Sequence, residues 1–408
     1  MTFGGLGERN APPPGWVGLA LVGLITFLCV RTGNLVPFLA AIALIVMVML
    51  HEFGHFVAAR ATGMKATEFF LGFGPRLWST RRGETEYGVK AIPAGGYVRI
   101  IGMTNLEDVD PVDEERTYRQ KSTGARVLVA SAGVLVQLVL ALICFMAIGL
   151  LWGRPDTGSW QIARVQPGTP AARAELAAGD RIVSVDGAAV ATFDEATDLL
   201  REHPGDVVEL GVTRDGERRD VEVTLLARHP DTGERVGFLG VGGEPTFTRV
   251  GVVRGAGYGL SLLTDSITSG VQGVGKIFSP SGFRSWVDNV SSLTDEDQPA
   301  TSGSGERVVS PVGVVRSADD LIAGSVPNAL ALFATINVFV ALINLIPLPP
   351  FDGGHIAVAL YEWVRSRGNR RYRVDYARLL PIAVAVITVM LMLGVTSLLL
   401  DIVRPVEL

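Results

Sequence analysis

Five apolar runs divide the chain, and the stretches between them follow other rhythms. Residues 16–30, 34–59, 127–153, 321–351 and 379–400 carry almost no charge, and about 20 apolar residues in helical form cross a bilayer. The pattern predicts four or five transmembrane helices. The first run is short and meets Arg31, but no basic cluster precedes it and no small-residue cleavage site separates it from the next run. An uncleaved helix fits it better than a signal peptide. The fourth run is longer than one crossing needs, and Gly324 and Pro327 set an interfacial stretch at its start, with the crossing from about Ala329.

Between the second and third runs the pattern shortens to strand length. Tyr87, Val89 and Ile92 lie between Gly83 and the Gly95-Gly96 pair, which predicts a hairpin of short strands with glycine turns. Residues 105–115 contain Glu107, Asp108, Asp110, Asp113, Glu114 and Glu115. Such a run belongs in a solvated loop, and it lacks the ligand spacing of a calcium loop. After the third run an α/β unit is expected. Ile162-Ala163-Arg164-Val165 reads as a strand, Pro170-Ala171-Ala172 as a helix start, and Arg181-Ile182-Val183-Ser184-Val185 as a strand closed by Asp186-Gly187. Residues 279–309, rich in Ser, Gly and Asp, read as a mobile linker.

Composition agrees with a chain divided between two solvents. Hydrophobic residues make up 48%, charged residues 19%, and mean hydropathy is +0.35. A net charge of -5 offers no basic surface, which excludes nucleic acid as a partner. Cys29 and Cys144 both fall in apolar runs and make no disulfide framework. Basic residues set an orientation. Arg365, Arg367, Arg370, Arg371, Arg373 and Arg378 crowd one short connection, and residues 60–126 are also rich in Lys and Arg. Both are expected in the cytoplasm, with residues 154–320 outside.

The second run holds His51-Glu52-Phe53-Gly54-His55, and Glu52 is its one formally charged residue. A carboxylate at bilayer depth is expensive and marks function. Residues four apart share a helix face, so His51 and His55 can offer two imidazole nitrogens to one zinc ion. Glu52 stays outside that pair but within reach of the water zinc activates, and it can serve as general base. With 5 His and 41 acidic residues in 408, random placement gives about 0.006 copies of the pattern. The alternative is a polar helix face packed in a bundle.

Catalytic zinc usually takes three protein ligands. His203 and His229 lie in polar sequence typical of surface histidines. The better candidate lies in Asn344-Leu345-Ile346-Pro347-Leu348-Pro349-Pro350-Phe351-Asp352-Gly353-Gly354-His355. Its prolines forbid a regular helix, and broken backbone at membrane depth is tolerated where it lines a cavity. Asp352 can turn toward the metal there, and Asn344 can hydrogen-bond a substrate backbone or a developing oxyanion. The alternative is a proline-kinked helix with Asp352 as its cap.

HEFGH in one run and NLIPLPPFDGG far downstream resemble the paired signatures of the site-2 protease family of intramembrane zinc metalloproteases. The resemblance implies His51, His55 and Asp352 as zinc ligands, Glu52 as catalytic acid/base and Asn344 as a substrate-positioning residue. It continues through Gly72-Phe73-Gly74-Pro75 and residues 84–99, which in that family form a membrane-associated β-hairpin beside the active site. A free strand edge there can pair with an unwound substrate. The α/β unit resembles a bacterial PDZ domain, which implies a second helix over 193–201 and later strands over 207–213 and 219–225, with Glu175-Leu176 where relatives carry Gly-Leu and with no identifiable ligand loop. It is expected either to bind peptide or to filter substrates by bulk.

The fold expected is a polytopic α-helical membrane protein of four to five transmembrane helices, with a membrane-associated β-hairpin and one inserted extracytoplasmic PDZ-like α/β domain. Residues 1–33 form the extra N-terminal transmembrane segment, 34–63 the HExxH helix, 64–125 the cytoplasmic loop with its hairpin, and 126–153 a transmembrane helix. Residues 158–245 form the PDZ-like domain, and 246–320 a linker and amphipathic region. Residues 321–360 form the transmembrane segment with the second motif, 361–378 the basic loop and 379–403 the last helix. The function implied is zinc-dependent cleavage, in a bacterial cell membrane, of a single-pass transmembrane protein. By analogy with envelope-stress regulators the substrate is an anti-sigma factor or similar signalling protein, already trimmed by a site-1-type protease. A non-catalytic PDZ adaptor, or a zinc protease acting on a soluble or peripheral precursor, is the alternative; the adaptor leaves Glu52 without a use.

Overall fold

The computed structural model describes residues 35–230, 233–291, 325–366 and 372–403, with Arg31 and Ile322. The expected helix over 16–30, most of the linker, and Arg367, Arg370 and Arg371 of the basic loop lie outside the described residues. Helix α1 (Leu35–Ala61) leads into strands β1 (Ala66–Arg82) and β2 (Thr85–Ile100), and α2 (Thr123–Ala147) follows, prolonged by a π-helical turn to Trp152. On α1 the residues His51, Gly54, His55, Phe56 and Ala59 are buried, whereas Leu39, Ile42, Val46, Phe53 and Val57 are exposed. That outer face is apolar, as lipid contact requires. Small residues let α2 meet α1 closely. A Cβ on Gly54 would stand 2.7 Å from the Ala132 carbonyl oxygen.

The hairpin is more folded than short strands between glycine turns. Its turn lies at Gly83, as expected, but β2 runs through Gly95 and Gly96 instead of ending there. Residues 66–71 pair on one side with 86–89 and on the other with 96–100, while 76–82 pair with 85–90. The order across the sheet is therefore 76–82, 85–90, 66–71, 96–100. Residues 96–100 form one edge. The acidic stretch behind the hairpin is likewise better organised than a solvated loop: Glu107 accepts from the Gly102 N–H at 2.7 Å, Glu114 pairs with Arg119 at 2.5 Å, and Asp113 pairs with Lys65.

The α/β unit follows its predicted order. It comprises β3 (Arg154–Val165), α3 (Pro170–Arg173), β4 (Arg181–Val185), β5 (Ala188–Ala189), α4 (Phe193–Arg201), β6 (Val207–Arg214), β7 (Glu217–Thr224) and β8 (Val241–Thr248). A capping box starts α4: Thr192 Oγ1 accepts the Glu195 N–H at 3.2 Å, and Glu195 returns a carboxylate to the Thr192 N–H at 3.4 Å. The sheet β5-β4-β6-β7 and the pair β3-β8 enclose Trp160, Ile162, Ile182, Leu200, Leu210 and Val212. Strand β8 carries Gly242, Gly243 and Pro245, a poor strand composition. Pairing with β3, the strand at the start of the unit, supplies what local propensity does not.

Beyond the α/β unit, the described part of the expected linker and amphipathic region, 246–291, is largely helical. Helices α5 (Val252–Ile277) and α6 (Pro280–Ser291) precede α7 (Val326–Asn344), α8 (Asp352–Arg365) and α9 (Leu380–Val403). Glycines seat α5 on the bundle. A Cβ on Gly255 would lie 2.3 Å from the Gly149 carbonyl oxygen, one on Gly259 2.7 Å from that of Phe145, and one on Gly270 2.6 Å from Leu342. Helix α5 thus starts at the end of α2 that carries the α/β unit and descends beside α7. The segment with the second motif is two helices, because residues 345–351, where the prolines forbid a regular helix, are not helical. With 14 residues, α8 is about 21 Å long and cannot cross. Among the described residues, Leu35–Ala61, Thr123–Trp152, Val326–Asn344 and Leu380–Leu399 are long and apolar enough to do so.

Candidate metal centre

Three donors from two helices converge beside α2. His51 Nε2 and His55 Nε2 are 3.1 Å apart, and Asp352 Oδ2 is 3.2 Å from each. Among the described residues this is the one group of His, Cys, Asp or Glu whose ligand atoms gather closely enough for a metal ion. Both histidines are buried. His55 Nδ1 lies 2.8 Å from the Val129 carbonyl; a carbonyl can only accept, so the proton sits on Nδ1 and Nε2 presents a lone pair. Imidazole nitrogens and a carboxylate oxygen facing one another repel unless a cation lies between them. Ligands about 2.0–2.1 Å from a tetrahedral zinc stand roughly 3.3 Å apart, close to the separations found. The donor set and its spacing fit zinc.

Packing fixes the donors as much as spacing does. A Cβ on Gly133 of α2 would fall 2.5 Å from His51 Cε1 and His55 Nε2, so the missing side chain is the space the two rings occupy. Gly353 and Gly354, next to Asp352, make room for backbone instead: a Cβ on Gly353 would lie 2.3 Å from the Leu345 carbonyl oxygen. The start of α8 is thereby folded tightly against the non-helical turn.

Glu52, next to His51, is half-buried and reaches the hairpin. Its Oε2 accepts the Val98 N–H at 3.0 Å. Val98 belongs to the edge segment 96–100, so its N–H points out of the sheet and toward the carboxylate. The candidate base and an open strand edge are therefore adjacent.

The remaining sequence candidates fall outside the donor group. Asn344 is the last residue of α7 and half-buried, one turn of irregular chain before Asp352. His203 and His229 belong to the α/β unit, and His355 stacks edge-on to Tyr118 with ring centroids 6.1 Å apart. The residues that sequence reading missed are the Val129 carbonyl, Gly133 and the Val98 amide. The signal for the second was present in Ala130-Ser131-Ala132-Gly133, because runs of small residues mark close helix approach in membranes.

Comparison with known proteins accords with this geometry. The profile of Peptidase family M50 matches residues 39–390. Zinc metalloprotease Rip1 of Mycobacterium tuberculosis is 35% identical over 412 residues, covering 91% of this chain and 98% of its own length. Zinc metalloprotease RasP of Oceanobacillus iheyensis is 26% identical, over 79% of this chain and 89% of its own. Among solved structures, the PDZ domain of an SdrC-like protein from Listeria monocytogenes matches at 22% identity and a TM-score of 0.19, over 22% of this chain and 90% of that one.

Proposed function

Because the chain belongs to peptidase family M50, the site-2 protease family, we propose that it is a zinc-dependent intramembrane endopeptidase whose ligands are His51, His55 and Asp352. The convergence of those donors beside Glu52 carries the reading. Zinc, when bound, supplies a Lewis acid that polarises a peptide carbonyl and acidifies water. Glu52 takes the proton from the attacking water and returns it to the leaving amine. Asn344 hydrogen-bonds the substrate backbone near the scissile bond. The edge formed by 96–100 receives the unwound substrate as an added strand, since a helix hides its peptide bonds.

The substrate we infer is a single-pass membrane protein, shortened beforehand by a second protease, an anti-sigma factor or similar signalling protein being the favoured case. The α/β unit acts as a PDZ-like domain outside the cytoplasm, and the site opens toward the cytoplasmic side of a bacterial cell membrane. Replacing Glu52 with Gln tests the assignment. The variant should keep zinc, lose cleavage, and leave one truncated membrane protein accumulating in cells. Undiminished cleavage by Glu52→Gln would remove Glu52 as the base.

A further inference from the structure

Helix α8 supplies one candidate ligand, Asp352, and must be held at one rotation and one height for that carboxylate to meet the histidines. Asp352, His355, Ala359 and Glu362 follow at i, i+3, i+7 and i+10, so they share one stripe of the helix. The matching stripe on α2 is Arg126, Val129 and Gly133. At one end of this pair Gly133 makes room for the imidazoles that Asp352 approaches, and the Val129 carbonyl fixes His55. At the other end Arg126 Nη1 donates to Glu362 Oε2 at 2.6 Å. Both partners are 5% exposed.

A buried ion pair is a poor source of stability, because desolvation offsets its attraction and apolar residues of similar volume often do as well. What it provides is register. Glu362 uses its second oxygen, Oε1, to accept the Val374 N–H at 2.7 Å. The same segment donates the Tyr376 N–H to Asn105 Oδ1 at 3.1 Å, in the turn that follows β2. Tyr118 roofs the pair, with the Arg126 guanidinium 5.0 Å above its ring and its hydroxyl donating to the Arg126 carbonyl at 3.2 Å. One node therefore joins α2, α8, the chain after α8 and the turn behind the strand that touches Glu52.

We propose that Arg126 and Glu362 are positioning residues for the metal centre: their ion pair sets the register of α8 on α2 and so the placement of Asp352. This rests on the zinc site assigned above. The test is zinc affinity, measured by competition with a chelator on the full chain in detergent, beside thermal unfolding. Arg126→Met/Glu362→Leu should unfold no earlier than the wild type and bind zinc about 10- to 100-fold more weakly, the usual effect of losing a group that orients ligands. Arg126→Lys should recover most of that affinity. Should the double variant fail to fold, Glu362→Gln, which keeps volume and the acceptor for Val374, is judged on the same scale. Wild-type affinity in a folded variant overturns the proposal. Asp352→Ala separates the two ideas: if it leaves zinc binding untouched, the site assignment falls and this inference with it, whereas a loss there with intact binding in the pair variants removes the register role alone.

Discussion

Gly133 shows how little of a metal centre needs a functional group. Its absent Cβ is occupied by the imidazoles, so Gly133→Ala should weaken zinc binding about 10- to 100-fold while far-ultraviolet circular dichroism stays unchanged; undisturbed affinity in chelator competition would show that the rings have room to move. The meeting of His51, His55 and Asp352 was legible because donors announce themselves by type and spacing. Val129 was not, since a backbone carbonyl has no identity in sequence and its partner lies 74 residues away. Glu175 is a second case where conformation matters more than chemistry. It adopts φ 55°, a left-handed region that suits glycine better than a residue with a Cβ. Its carbonyl already serves Arg214 at 2.8 Å and would remain after substitution. Glu175→Gly should stabilise the α/β unit by about 1 kcal/mol, read as slower exchange of β4 and β6 amides. Asp180 in the same unit is buried, which raises its pKa, but Arg214 binds both its oxygens at 2.5 and 2.6 Å and the Ala177 N–H adds a third bond, so the net shift is downward. A carboxyl lowered in the folded state contributes stability that is full above its unfolded value of about 4 and is lost as pH falls through the lower folded one. Exchange of β4 and β6 should accelerate below that range, and Asp180→Asn should cost about 2 kcal/mol at neutral pH and flatten the acid limb.

At the scale of elements, the sequence was a good guide wherever local pattern decides. Helix α4 covers the expected residues, and a capping box starts it. Strand β8 and helix α5 were missed because distant partners stabilise them: β3 for the first, and the glycine contacts with α2 and α7 for the second. The hairpin shows what such knowledge changes. Val89 pairs with both Leu71 and Trp78 and sits between two ladders, so a proline there should unfold the sheet. Val98 lies on the edge with its N–H turned to Glu52, and edge positions tolerate proline. Val98→Pro should therefore keep the sheet and the zinc but slow cleavage at least about tenfold, because the base loses a bond that orients it. Cleavage at the wild-type rate in a zinc-loaded Val98→Pro chain would show that neither the Glu52 bond nor the open edge serves the reaction.

On the whole-molecule scale, the fold puts its charged loops and its α/β unit at opposite ends. Thr123–Trp152 is 30 residues long, which makes about 45 Å of helix. The hairpin and residues 101–122 precede it, and the unit from Arg154 follows it. The bond from the Tyr376 N–H to Asn105 brings the segment after α8 to the hairpin end, so arginines far apart in sequence gather on one side. Positive residues in short loops stay in the cytoplasm, which is the basis of the orientation proposed for the chain. In a chain whose Cys29 and Cys144 are replaced by serine, Glu217→Cys at the exposed start of β7 should react with a membrane-impermeant maleimide on intact cells. Arg82→Cys at the hairpin turn should react only after permeabilisation. The reverse labelling would turn the molecule over, and with it the direction from which substrate arrives. If the labelling is as expected, a substrate helix must bring its outer portion past the α/β unit before its peptide bonds reach Glu52, so enlarging that outer portion with a folded domain should slow cleavage while leaving zinc affinity untouched.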